Sequence, residues 1–106
     1  MELVEFEEKY IENPNKENRK RLIKKLKTSD IFVRFDENDN PILLTDEDTG
    51  EVLICLDSEP FDEHSKPFTF KECIRLKDAV SEVLETKAIL VLDIDSFEID
   101  IPEDIL

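Results

Sequence analysis

Residues 69–92, TFKECIRLKDAVSEVLETKAILVL, decide the architecture, because a helical pattern there gives way to a strand pattern across only a few residues. Thr69-Phe70-Lys71-Glu72 has the spacing of a capping box, in which the Thr69 hydroxyl accepts from a free amide of the first turn while Glu72 reaches back. Phe68 and Cys73 stand at the staple positions around it. Cys73, Leu76, Val80, Val83 and Leu84 then recur at helical spacing, which predicts an amphipathic helix ending near Glu85. Ala88 to Leu92 is a continuous aliphatic run, short and branched enough to be a buried strand.

On the C-terminal side, Asp93 to Ser96 reads as a turn, and Phe97, Ile99 and Ile101 alternate with Glu98 and Asp100 as a half-buried closing strand. Upstream, Ile31, Val33 and Phe35 alternate with Phe32 and Arg34, Asp36 to Asn40 is a polar turn, and Ile42 to Leu44 reads as the returning strand. A second turn at Asp46 to Gly50 leads into Glu51 to Leu56, so the three runs are expected to form an antiparallel meander. Gly50, the single glycine, stands where a hairpin needs a positive φ. Residues 57–67 carry two prolines and no periodicity, which predicts a mobile loop.

The segment 1–27 reads as helical. Leu3, Phe6 and Tyr10 mark a short helix from Glu2 to Glu12, and Asn13-Pro14 supplies a cap with proline at the first position of a second helix, which runs to about Lys27 with Leu22, Ile23 and Leu26 as its apolar stripe. The expectation is a single α+β domain over residues 1–106, with a mainly antiparallel sheet of about five strands and two or three helices packed on it.

Composition narrows the function. The 106 residues include 28 acidic and 14 basic side chains, for a net charge of -14. Such a surface repels phosphate backbones and anionic lipid, so neither nucleic acid nor a membrane is an expected partner, whereas a basic protein would be drawn to it. Apolar stretches as long as Ala88 to Leu92 are far below the roughly 20 residues of a membrane span. Met1-Glu2-Leu3-Val4-Glu5 lacks the basic start and apolar run of a signal peptide, which predicts a cytoplasmic setting in which Cys55 and Cys73 stay reduced and buried.

Three stretches, Ser29-Asp30-Ile31-Phe32-Val33, Gly50-Glu51-Val52-Leu53-Ile54-Cys55-Leu56-Asp57-Ser58 and Ile89-Leu90-Val91-Leu92-Asp93-Ile94-Asp95-Ser96, together with the order of elements, resemble the N-terminal domain of the SseB family over roughly Leu22 to Leu106. That family usually shows Phe-Thr after the third strand and Asn-Pro-x-Ser after the aliphatic strand, where this chain has Leu56-Asp57 and Asp93-Ile94-Asp95-Ser96. The resemblance implies a non-enzymatic α+β module with a role in interaction or regulation, and it assigns no functional residues.

No catalytic constellation, metal site or cofactor is expected. Asp36-x-Asn38-x-Asn40 with Glu47 copies the ligand spacing of a calcium loop, but Pro41 occupies the position that needs glycine, so a solvated hairpin turn is the plainer reading. Asp46, Asp48 and Glu51 around Gly50 are likewise explained by hairpin solvation. His64 lies near Asp62 without spacing that would pair it with Cys55 or Cys73. Two cysteines and one histidine fall short of a four-ligand zinc site.

The charge layout points instead to interaction. Eight of the fourteen basic residues lie between Lys9 and Lys27, while residues 28–65 hold twelve acids against Arg34 alone. Arg19, Lys20, Lys24, Lys25 and Lys27 form a basic helix face, read first as a solvated face and second as a site for an acidic partner or for self-association. Phe61, between Pro60 and Asp62, is the candidate aromatic anchor of a binding loop. Asp93, Asp95, Glu98 and Asp100 cluster about one turn and strand, a spacing that could imitate successive phosphates. The expected role is a non-catalytic protein-interaction or regulatory module, whose partner is another protein of basic character or a second copy of the chain. The alternative is an acidic nucleic-acid mimic that inhibits a basic nuclease, toxin or DNA-binding protein.

Overall fold

The computed structural model describes residues 1–101; residues 102–106, the end of the expected 1–106 domain, lie outside the described residues. Three helices, α1 (Leu3–Glu12), α2 (Lys16–Thr28) and α3 (Phe70–Leu84), accompany six strands, β1 (Ile31–Val33), β2 (Leu43–Thr45), β3 (Val52–Asp57), β4 (Lys66–Phe68), β5 (Ala88–Leu92) and β6 (Ile99–Ile101). The strands form one mixed, mostly antiparallel sheet ordered β4-β1-β3-β5-β6, with β2 also paired to β3. The α+β architecture expected from the sequence is the one observed. Among the described residues only β3 and β5 run parallel, and the α3 crossover lies between them as a parallel pair requires.

Alternation builds the core. Ile31, Val33 and Phe35, Val52, Ile54 and Leu56, Ala88, Leu90 and Leu92, and Ile99 and Ile101 belong to one buried cluster with Leu3, Leu22, Leu26, Phe70, Cys73 and Val80 from the helices. All three helices therefore cover the same face of the sheet. The capping box of α3 forms as its spacing demands: Thr69 Oγ1 accepts from the Glu72 amide at 3.2 Å, and Glu72 Oε1 accepts from the Thr69 amide at 3.0 Å. That second bond to the backbone amide holds the Glu72 carboxyl below its ordinary pKa.

Four local expectations need correction. The meander does not form, because β1 pairs with Leu56 and Asp57 while β2 pairs with residues 52–54. Both run antiparallel along the flank of β3 opposite β5, as two halves of one interrupted strand. Between them the chain makes a short arm closed by Asp36 donating to the Asn40 carbonyl at 2.8 Å and Ile42 donating to the Arg34 carbonyl at 2.9 Å. Pro41, bridged to Phe35, has no N–H with which to extend that arm into a ladder.

The loop expected over 57–67 is also shorter. Asp57 ends β3, and Lys66–Phe68 is an edge strand against β1, where Pro67 is tolerated because an edge leaves one side unpaired. Asn13 closes α1, and Asn15 caps α2 by accepting from the Asn18 amide at 2.8 Å. The Asn18 side chain donates in turn to the carbonyls of Lys9 and Asn13, which fixes the corner between the helices. Finally, Glu98 is not part of β6; its φ of 50° places it in the turn that precedes the strand.

Gly50 has φ +74°, and a Cβ built on it would meet nothing within 4 Å. Its requirement is purely conformational. Gly50→Ala is expected to lose about 1 kcal/mol from backbone strain, read as a fall in Tm of roughly 4–8 °C for a domain of this size, with no change in the folded spectrum.

Candidate functional site

Leu56 of β3 lies opposite Leu92 of β5, so Asp57 and Asp93 sit side by side at the carboxyl end of this parallel pair. Asp93 takes φ 47°, its amide donates to the Leu56 carbonyl at 2.7 Å, and its own carbonyl accepts from the amides of Ser96, Phe97 and Glu98. Arg34 follows β1, tied by its amide to the Cys55 carbonyl at 3.3 Å. This register aims the guanidinium at Asp57.

The guanidinium is clamped on two sides. Nε and Nη2 donate to Asp57 Oδ2 and Oδ1 at 2.8 and 2.9 Å, and Nη2 also donates to Asp95 Oδ2 at 2.8 Å. Arg34 is 8 % exposed and Asp57 7 %, while Asp95 lies at the surface. A fork–fork pair of this kind fixes orientation as well as distance. Hydrogen bonds to Asp57, then to Asp95, raise the Arg34 pKa above its ordinary value against the opposing effect of burial. The Phe61 ring stacks on the same guanidinium, its centroid 3.8 Å from Cζ, although the residue is 53 % exposed. Such cation–π contacts contribute about 0.5–1 kcal/mol at exposed sites.

The loop carrying Phe61 is closed locally. Ser65 Oγ accepts from the amides of Phe61 and Asp62, Asp62 Oδ1 accepts from His64 N–H at 2.9 Å, and the Ser65 amide donates to the Asp62 carbonyl. At its base the Ser58 amide donates to Asp93 Oδ1 at 3.0 Å. The aromatic ring is therefore held from beneath by Arg34 and along the backbone by Ser65 and Asp93.

A second carboxyl enters from α1. Glu7 is fully buried, and neither its carboxyl oxygens nor Asp93 Oδ2 receives a hydrogen bond from any N–H. Burial pushes the Glu7 pKa up to about 9, helped by its hydrogen bond to Asp93 and by the charges of Asp93, Asp57 and Glu8. Glu7 is accordingly neutral at pH 7, and its hydroxyl supplies the donor that Asp93 Oδ2 otherwise lacks. Arg34 alone could not balance three buried carboxylates besides the exposed Asp95; neutralising Glu7 leaves two buried ones.

The predicted residues are thus dispersed. Phe61 and Asp95 meet at Arg34, and Asp62 serves the turn beside them. Asp93 is 8 % exposed and points inward, whereas Glu98 and Asp100 are exposed, so the four acids do not make one row on the surface. Lys20, Lys24 and Lys27 of α2 are exposed, and Arg19 and Lys25 half-buried. Sequence reasoning missed Glu7 and Arg34. Glu7 stands four residues after Leu3 within the buried stripe of α1, and Arg34 is the one cation in a long acidic stretch; both were readable signals.

The other candidates are structural. Asp36 Oδ1 accepts from the amides of Asn38 and Asn40, and Asp46 Oδ1 from those of Asp48 and Thr49, so both carboxylates close turns. His64 faces Glu63 at 3.5 Å. Cys55 and Cys73 are free and buried, and burial raises both thiols, Cys73 to about 12, which keeps them protonated near neutrality. Among the described residues, no group of three or more His, Cys, Asp or Glu side chains is placed to hold a metal ion, and no helix is long and apolar enough to cross a membrane. No family model matches the chain, and neither curated proteins nor solved structures yield a match.

The acid pair sets a pH dependence. Because the folded state holds the Glu7 proton up to about pH 9 while the unfolded chain releases it near 4.5, the native state binds more protons in between, and stability falls as pH rises through that window. Glu7→Gln keeps the donor to Asp93 without the titration. Its Tm is expected to exceed that of the wild type at pH 8 and to lose most of the downward slope between pH 5 and 9, measured by thermal melts across pH; parallel slopes for the two proteins would refute the shared proton.

Proposed function

We propose that this chain is a non-catalytic interaction module that captures a basic protein through the loop 58–65, with Phe61 as its anchor. One observation carries the reading: an aromatic ring more than half exposed is held against a guanidinium that is itself locked by Asp57 and Asp95. Exposed aromatics usually pay a loss of rotamer freedom on binding, and a ring already fixed in place avoids most of it. Glu59, Asp62, Glu63 and Asp95 are exposed around it, so the anchor has the charged rim that excludes water and selects cations.

A net charge of -14 would steer such a partner toward the domain at a rate that falls with added salt. The SseB-like stretches agree with a module of this class, and a cytoplasmic setting suits two reduced, buried thiols. The mimic reading is weaker, because Asp93 is interior and Asp95 is occupied by Arg34, leaving Glu98 and Asp100 without the regular spacing a phosphate row requires.

The test compares proteins retained by the wild type and by Phe61→Ala immobilised at equal density. Loss of a hot-spot aromatic costs about 2 kcal/mol or more of binding, so retention of the specific partner should fall at least about tenfold. Tm should fall only slightly, in line with one exposed cation–π contact. Equal retention by both proteins, or a collapse in stability, would remove Phe61 as the anchor.

A further inference from the structure

The opposite polarity lies on the other side of α1. A groove of 370 Å³ is lined by Phe6 of α1 and by Arg21, Lys24, Lys25 and Thr28 of α2. Phe6 is half-buried and forms an apolar wall, and the aliphatic stems of Arg21, Lys24 and Lys25 extend it while their charged ends face water. Arg21 has only an exposed pair with Glu17 at 2.7 Å, and such pairs contribute little. Among the described residues neither Lys24 nor Lys25 has an ion-pair partner. In a molecule of net charge -14, this is an aromatic-walled concavity ringed by cations.

Its complement is carried by the same molecule, on the other flank of α1. Residues 59–63, Glu-Pro-Phe-Asp-Glu, present one aromatic ring between acids. We infer that the basic surface bound by the Phe61 loop is a local groove on a second copy of this chain, the ring entering the Phe6–Arg21–Lys24–Lys25 groove with Glu59, Asp62 and Glu63 facing its cations. This rests on the proposed role of the Phe61 loop and supplies its partner. Ser58 and Glu59 border the same concavity as Glu2, Leu3 and Val4, and Phe6, about half a turn beyond Val4, faces the other side of α1, so loop and groove lie on opposite flanks of that helix. Two copies can then exchange loops reciprocally, which closes the assembly as a dimer instead of an open chain. Repulsion between two bodies of like charge is screened beyond about 8 Å at physiological ionic strength, whereas contacts inside a groove are screened less.

Sedimentation equilibrium of the full chain from micromolar to millimolar concentration, at physiological salt, should show a reversible monomer–dimer transition. Two double variants test its geometry, Lys24→Glu with Lys25→Glu and Glu59→Lys with Glu63→Lys; Asp62 is spared because it closes the turn. Each is expected to stay monomeric alone while keeping its Tm near that of the wild type. Mixed in equal amounts they should recover a heterodimer, since one loop–groove contact is native and the other has its charges exchanged. A wild type that is monomeric throughout, or a dimer indifferent to both variants, overturns the inference. If the wild type is monomeric while Phe61→Ala still abolishes capture of a different basic protein, self-association fails and the Phe61 anchor stands.

Discussion

One guanidinium placed among four carboxyl groups is the constraint on which this fold's working end depends. Arg34 reaches Asp57 across the β1–β3 register, Asp95 across the turn after β5, and Phe61 across the loop after β3. Two segments distant in sequence, 57–61 and the turn at Asp95, thus share the side chain of a third. Buried ion pairs contribute little net stability compared with an apolar replacement, yet breaking one partner costs about 3–5 kcal/mol because the other charge is stranded. The role of the clamp is therefore geometric: it allows one arrangement of these segments and penalises the rest. A lysine could not reproduce it, having no planar fork to bind Asp57 in two places while reaching Asp95.

The surplus of acid at this end is accommodated by chemistry rather than by further cations. Asp93 receives the Ser58 amide on one oxygen, and neutral Glu7 serves the other. That arrangement pins α1 to the junction of β3 and β5, and it places the base of the Phe61 loop on the same carboxylate. Helix docking and loop position are consequently coupled through Asp93, whose left-handed backbone also starts the turn carrying Asp95. The cations missing from this region are concentrated on α2, so the molecule carries two surfaces of opposite character at the flanks of α1.

Much of the fold was legible because local rules and tertiary packing agree. The capping box at Thr69, the aliphatic run at Ala88 and the turn at Gly50 each formed as the residues dictate, and so did the α3 stripe from Cys73 to Val80, although Val83 and Leu84, expected to continue it, are exposed. The misreadings fall where a long-range partner decides. Lys66–Phe68 becomes a strand only because β1 offers an edge, which no alternation within three residues including Pro67 could reveal. Ile42 to Leu44 was read against its neighbour in sequence, but Pro41 and the pull of β3 sent it along β1's line instead. In the sequence Phe61 and Asp95 stand apart, one an aromatic in a loop and one an acid in a turn. What joins them is Arg34, whose importance lies in being the lone cation among twelve acids, a fact of composition that acquires a position only in three dimensions.

The central claim is that Arg34 holds an exposed aromatic ring in place before any partner arrives. Carbon relaxation of the Phe61 ring in selectively labelled protein measures this directly in the free state. The account predicts an order parameter of about 0.85, as for rigid backbone, falling below about 0.6 in Arg34→Lys. A Phe61 ring already mobile in the wild type, or equally rigid without the guanidinium, would contradict it.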